Sequence, residues 1–79
     1  MIRFEALVTG RLTEIDAGMP VTIPRGPCEL EVHEGVVSLA WTERGQPRSV
    51  TLPAHRLEEH LDDSAILIIR MVHESERLS

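Results

Sequence analysis

Three short segments of alternating apolar and polar residues constrain the fold of this chain most strongly. They cover residues 28–33, 36–42 and 49–52, and turn residues separate them at Glu34-Gly35 and at residues 43–46. An alternation with a period of two places every second side chain on the same face of a β-strand. Because strands joined by such short turns pair side by side, the sequence predicts an antiparallel meander of three strands.

Further strand patterns precede this meander. Residues 2–8 alternate in the same way, and after Gly10 the pattern resumes through Leu12 and Ile15. Residues 19–27 contain three prolines, which cannot donate the hydrogen bonds of a central strand. This segment is therefore predicted to be an edge strand or an extended loop.

The periodicity changes at Pro53. Ala54, Leu57 and Leu61 occupy positions i, i+3 and i+7, which form one face of a helix. Proline is tolerated in the first turn of a helix, so the sequence predicts a short helix over residues 53–61.

The last predicted strand covers residues 65–72, and residues 66–69 within it are apolar in succession. A strand that is apolar on both faces needs cover on both of them. We therefore expect this strand to lie inside a closed barrel or to pack against another subunit.

These elements predict a mainly β fold: a small antiparallel barrel or a strongly bent sheet of five to six strands, with one short helix before the last strand. With 79 residues, the chain has room for a single domain. We place that domain at residues 1–73 and a polar C-terminal tail at residues 74–79. The arrangement resembles the SH3-like small barrels, in which a short helical turn precedes the last strand. This resemblance concerns architecture and implies no activity.

Composition excludes several classes of protein. The single cysteine, Cys28, rules out an intrachain disulfide and a zinc site built from several cysteines. We expect no signal peptide, and the longest apolar run, residues 65–69, is too short to cross a membrane. The sequence therefore predicts a cytoplasmic protein that does not bind membranes.

The charge of the chain also limits its partners. The net charge is −5, and all eight basic residues are arginine. Sequence-independent binding to DNA or RNA needs clustered positive charge, so we expect no direct binding to nucleic acid. The polar side of the most regular predicted strand and the turn after it carry three carboxylates, at Glu29, Glu31 and Glu34. We call these residues the acidic stripe. A row of carboxylates imitates a row of phosphates, so the stripe is a candidate site for a basic protein. The alternative is an ordinary solvent-facing side of a strand.

No pattern typical of an enzyme or of a cofactor site appears. The sequence has no glycine-rich phosphate loop and no Ser-His-Asp spacing, so we expect no catalytic residue and no cofactor. Cys28 lies on the apolar side of its predicted strand, which favours a buried core residue. His55, Glu59 and Asp63 lie on and after the predicted helix. They are typical of a solvated helix surface and leave a small metal or ligand site as an alternative.

The sequence favours a non-enzymatic protein-binding module that forms a homodimer. So short a chain buries little surface alone, and its last strand is apolar on both faces. We predict Trp41, Ile66 and Ile68 at the dimer interface. The first alternative is an acidic inhibitor from a phage or mobile element, a nucleic-acid mimic of the antitoxin or anti-defence type. The second alternative is the metal- or ligand-binding protein.

Overall fold

A computed structural model of the chain describes residues 1–72. His73 and the predicted tail at residues 74–79 lie outside the described residues. The described elements are β1 (Ile2–Val8), β2 (Leu12–Asp16), β3 (Met19–Ile23), β4 (Gly26–Val32), β5 (Val36–Glu43), β6 (Gln46–Pro53), α1 (Ala54–Asp62) and β7 (Ile66–Val72). The prediction of a mainly β fold with one short helix before the last strand is confirmed.

The strands form two antiparallel sheets. Five of them follow the order β6-β5-β4-β1-β7, and β2 pairs with β3 in a separate hairpin. The predicted meander is confirmed as β4, β5 and β6. Because β6 and β7 stand at the two ends of the order, the five-stranded sheet is not closed into a barrel by any strand within residues 1–72. Of the two predicted forms, the barrel and the bent sheet, the architecture is therefore the bent sheet.

The β2–β3 hairpin raises the number of strands in the described part of the chain to seven, against the five to six predicted. β2 lies where the pattern was expected to resume after Gly10, and β3 is an edge strand. The two are joined by Ala17 and Gly18, whose φ angles are 53° and 81°. Positive φ at both central residues is typical of the type I′ turn, whose twist suits two paired strands.

One face of the five-stranded sheet, the inner face, forms the core. The register sets Ala6 opposite Cys28 and Leu30 opposite Leu39 on this face. Residues from the hairpin and the helix pack over it, and the buried apolar residues are Ala6, Val8, Leu12, Ile23, Cys28, Leu30, Val37, Leu39, Trp41, Val50, Leu52, Leu57 and Ile66. The opposite, outer face is left to solvent, as is common for antiparallel sheets.

The helix links the two ends of the sheet. At its start, the Ala54 N–H donates to the Gly35 carbonyl (3.1 Å) in the β4–β5 turn. Just beyond its end, Thr9 Oγ1 donates to the Ser64 carbonyl (2.7 Å) at the end of β1. The predicted helix is confirmed within one residue at each end. Among residues 1–72, α1 is the only helix, and its nine residues are too few to span a membrane.

Candidate interaction surface on the last strand

β7 forms one edge of the five-stranded sheet. One side of it pairs with β1, and no strand within residues 1–72 pairs with its other side. The hydrogen bond from the Thr9 N–H to the Ala65 carbonyl (2.9 Å) shows that Ala65 faces β1. Because hydrogen-bonding directions alternate along a strand, the N–H and C=O groups of Ile66 and Ile68 point to the open side. This side can therefore receive a further strand.

Four apolar side chains of β7 are exposed. Leu67, Ile68, Ile69 and Met71 are between 41% and 60% accessible to solvent. Ile66, in contrast, is 1% exposed because it faces the core. An uncovered apolar edge strand is a template for pairing with another chain. Residues 66–69 were expected to need further cover. This need remains for Leu67, Ile68 and Ile69, whereas the core already covers Ile66.

The exposed apolar surface continues from β7 onto β1. Phe4 lies opposite Met71, and Ile2 lies opposite Val32, all on the inner face. Ile2 is exposed, whereas Phe4 and Val32 are partly buried against the core. We define the edge patch as Ile2, Leu67, Ile68, Ile69 and Met71. Its side chains lie on both faces of the edge, because Leu67 lies opposite Leu7 and Ile68 lies opposite Ala6. Several exposed apolar side chains on one edge mark interaction sites on small proteins.

β7 contains a single charged residue, Arg70, which binds the neighbouring strand. Its Nε donates to Glu5 Oε1 (3.1 Å) and its Nη2 donates to Glu5 Oε2 (3.3 Å). The two residues lie directly opposite in register, and a bulge next to them leaves Ile69 without an opposite residue in β1. Since Glu5 balances this charge, the edge presents mainly apolar groups to a partner.

The structure separates the three residues that were predicted at a dimer interface. Ile68 lies in the edge patch. Ile66 and Trp41 lie in the core of a single chain. The exposed residues that the prediction did not name belong to the same apolar strand. The apolar run alone does not tell which of its side chains faces the core.

The opposite edge of the sheet, β6, is protected. Pro47 and Pro53 lie near its two ends, and Arg48 is exposed on it. The β2–β3 hairpin contacts β6, and α1 follows it directly. Proline, charge and a covering element are the devices that keep edge strands from pairing. The five-stranded sheet therefore has one protected edge and one open edge.

A buried ion cluster joins the hairpin to the helix. Glu14 of β2 is 6% exposed, and its Oε2 lies 2.5 Å from His60 Nε2 and accepts a hydrogen bond from Arg56 Nη2 (2.8 Å). Arg56 Nε donates to Glu14 Oε1 (3.2 Å), and Arg56 Nη1 donates to Glu59 Oε1 (2.5 Å). Sequence reasoning missed this cluster because Glu14 and His60 are 46 positions apart.

The cluster changes the titration of its members. Burial raises the pKa of the Glu14 carboxyl, but the hydrogen bonds and charges of Arg56 and His60 outweigh burial, so this pKa lies below its ordinary value. Hydrogen bonding to Glu14, together with the Glu14 charge, raises the pKa of Arg56 further. Glu14 is therefore ionised at neutral pH and holds the hairpin to α1.

The acidic stripe is partly neutralised by its neighbours. Arg3 Nε of β1 lies 3.9 Å from Glu29 Oε1, and Arg3 Nη2 donates a hydrogen bond to Glu31 Oε2 (3.4 Å). On its other side, Glu31 lies 3.7 Å from His33 Nε2. Glu34 lies in the turn after β4. The structure thus brings Glu29 and Glu31 together on the outer face and leaves Glu29 the more exposed of the two.

A groove of about 440 Å³ lies beside the stripe. Its lining includes Glu5, Leu7, Pro24, Glu29 and Ile69. Glu5 and Glu29 occupy directly opposite positions of β1 and β4. A groove of this volume can hold a side chain or a small ligand. Because Arg25 also lines it, the groove combines charges of both signs with apolar walls.

The residues of the metal alternative do not form a ligand set. His55 and Asp63 are exposed, and Glu59 is bound to the ion cluster. No group of three or more His, Cys, Asp or Glu side chains in the described part of the chain is arranged to hold a metal ion. Cys28 is buried, as expected, and burial with the nearby Glu29 charge raises the pKa of its thiol to about 11. That thiol is therefore protonated and unreactive at neutral pH.

Comparison with known proteins gives no match: no protein-family model, curated protein or solved structure is similar to this chain. The edge patch, the acidic stripe and the groove are the candidate interaction surfaces of the chain.

Proposed function

We propose that this chain is a non-enzymatic protein-binding module that forms a homodimer through the edge patch. The observation that carries this proposal is the open side of β7, where backbone groups with no strand partner among residues 1–72 lie beside exposed apolar side chains. A strand added to such an edge gains main-chain hydrogen bonds and apolar contacts together. Both gains come from one element of the fold.

The small size of the chain supports self-association. A domain of this length leaves much of its surface uncovered, and its core supplies only a few kcal/mol of stability. A standard interface buries about 800 Å² on each partner, which is roughly a seventh of the 5460 Å² surface. A second copy would cover apolar surface that a single chain leaves exposed.

The asymmetry of the two edges favours a dimer over a larger assembly. A chain with two open edges can add copies at both and grow into a filament. Here β6 is protected and β7 is open. The open edge of the five-stranded sheet can be used only once, so association through β7 stops at two copies.

Analytical ultracentrifugation at micromolar concentration tests the proposal. The wild-type chain is expected to sediment as a dimer, and Ile69→Glu is expected to give monomers because it places a charge in the edge patch. Ile15→Glu is a matched control, since Ile15 lies on the hairpin and is exposed to 64%, against 60% for Ile69. A monomeric wild type would contradict the proposal, and so would an equally monomeric Ile15→Glu variant.

The acidic outer face supports a second candidate function, an inhibitor from a phage or mobile element that occupies the nucleic-acid site of a basic protein. The net charge of −5 and the exposed Glu29 beside the groove motivate it. The ion pair of Glu31 with Arg3 reduces the charge that is available for such mimicry. The homodimer therefore remains the first proposal.

An oligo-arginine peptide tests the second candidate. The wild type is expected to bind it with an affinity that falls as salt is added, and joint reversal of Glu29, Glu31 and Glu34 to Arg should abolish binding. Joint reversal of Glu58, Asp62 and Asp63 to Arg is the control, because it changes the net charge by the same amount at exposed positions. Equal losses in both variants would reject the acidic stripe as a specific site.

A further inference from the structure

We propose that two copies join β7 to β7 in an antiparallel register centred on Leu67, so that their two five-stranded sheets continue across a two-fold axis. This inference rests on the proposed homodimer and adds to it the orientation, the register and the residue on the axis. It commits to a second copy as the partner because the open edge is complementary to itself, whereas the other edge of the sheet is protected.

The hydrogen-bonding directions of β7 suit this pairing. Ala65 faces β1, so Ile66 and Ile68 direct their N–H and C=O groups to the open side. With Leu67 on the axis, Ile66 of each copy lies opposite Ile68 of the other and exchanges two hydrogen bonds with it. The two Leu67 residues then form a non-hydrogen-bonded pair, whose Cα atoms lie about 4.5 Å apart.

The bulge in β7 limits the register. Ile69 has no opposite residue in β1, and the pairing of the two strands shifts at this point. A bulge bends a strand and interrupts its ladder of hydrogen bonds. A pair centred on Leu67 uses residues 66–68 of both copies and leaves the bulge outside its central pairs. A pair centred on Ile68 would bring the bulge next to the axis.

Charge complementarity selects the same register. With Leu67 on the axis, Arg70 of one copy comes close to Ser64 of the other, next to Asp63, which is exposed. With Ile68 on the axis, Arg70 would instead lie opposite a buried apolar residue. An exposed carboxylate is the more favourable neighbour for a guanidinium group. The bulge therefore sets the register, and the charge of Arg70, which Glu5 of the same chain already binds, adds a smaller preference for it.

Disulfide cross-linking of purified variants tests the register. Leu67→Cys is expected to form a covalent dimer under mild oxidation, because the Cα separation on the axis lies within the disulfide range. Ile69→Cys is the matched control on the same strand, where the two introduced thiols would lie about 14 Å apart along the strand direction. We expect Leu67→Cys to cross-link at least about tenfold faster.

The native thiol does not disturb this experiment. Cys28 is buried and the pKa of its thiol is raised to about 11, so the wild-type chain should stay free of disulfides under the same oxidation. Sedimentation of reduced Leu67→Cys checks that the substitution leaves the dimer intact.

The outcomes separate the register from the proposed function. Equal rates for both variants, or faster cross-linking of Ile69→Cys, would overturn the register. A wild type that sediments as a dimer, with neither variant cross-linking, would also overturn the register and leave the homodimer standing. A chain that neither dimerises in sedimentation nor cross-links would overturn both.

Discussion

The two edges of the five-stranded sheet differ in each property that controls strand addition. β6 has prolines near both ends, an exposed Arg48, and a hairpin packed against it. β7 has no proline, and its only charged residue, Arg70, binds Glu5 of the adjacent strand. One sheet thus has a protected edge and an open edge.

This difference shows that edge protection is a property of side chains and covering elements, not of the sheet as a whole. Two protected edges would favour a monomer, and two open edges would favour a growing assembly. One open edge allows a single, closed association. The ion cluster belongs to the protected side, because Glu14 ties the hairpin to α1.

The largest effect is expected when the protected side loses its ion cluster. Glu14→Gln removes the charge that Arg56 and His60 share, and we expect it to lower the free energy of unfolding by about 2–3 kcal/mol. Urea denaturation measures this change. Glu59→Gln breaks an exposed contact with the same Arg56, so it should cost less than about 0.5 kcal/mol. Similar losses in the two variants would show that the buried cluster does not hold the hairpin.

Opening the protected edge should change the assembly itself. We expect Pro47→Thr combined with Arg48→Thr to give species larger than the dimer, whose mass rises with concentration, because β6 then lacks two of its protective features. Light scattering follows this growth. Adding Ile69→Glu should stop it by closing the β7 edge. An assembly that stays at two copies in the double variant would show that the hairpin alone protects β6.

Acid should weaken the protected side of the molecule. The folded-state pKa of Glu14 lies below its ordinary value of 4.5, so its contribution is complete above that value and is lost as the pH falls through the folded-state pKa. Between about pH 5 and pH 3, the free energy of unfolding should fall more steeply for the wild type than for Glu14→Gln. Parallel pH profiles of the two proteins would contradict this assignment.

The smallest effect is expected in the turn of the hairpin that covers β6. Ala17 has a φ of 53°, a left-handed conformation that costs a residue with a Cβ roughly 1 kcal/mol. Asparagine tolerates this conformation better, so Ala17→Asn should stabilise the chain by about 0.5 kcal/mol. Thermal denaturation measures the gain. Ala17→Val, with its branched side chain, should shift the melting temperature in the opposite direction.

Local patterns were enough to predict most elements. The meander follows from alternating residues and short turns, and the helix follows from the spacing of Ala54, Leu57 and Leu61. These signals succeed because side-chain periodicity reports directly on backbone geometry. The proline-rich segment was harder to assign, since only its pairing with β2 shows that residues 19–23 form a strand.

The candidate site was predicted only in part. The apolar run in the last strand indicated a need for cover, and Ile68 of that run is exposed. Ile66 and Trp41 lie in the core, because β1 and the core-facing register decide which side chains turn inward. The cluster of Glu14 and His60 had no local signal, since the two residues meet only after β2 and α1 pack together.

The order of short strands, turns and one helix follows from residue periodicity, proline and glycine positions along this chain. The pairing of β1 with both β4 and β7 could only come from the tertiary structure, and with it the identity of the two edges. Periodicity acts between residues a few positions apart, whereas an edge exists only after distant strands have paired. If a second strand paired with β7, the same apolar sequence would form a buried central strand. Because β7 pairs with β1 alone among the strands of residues 1–72, that sequence forms an open edge.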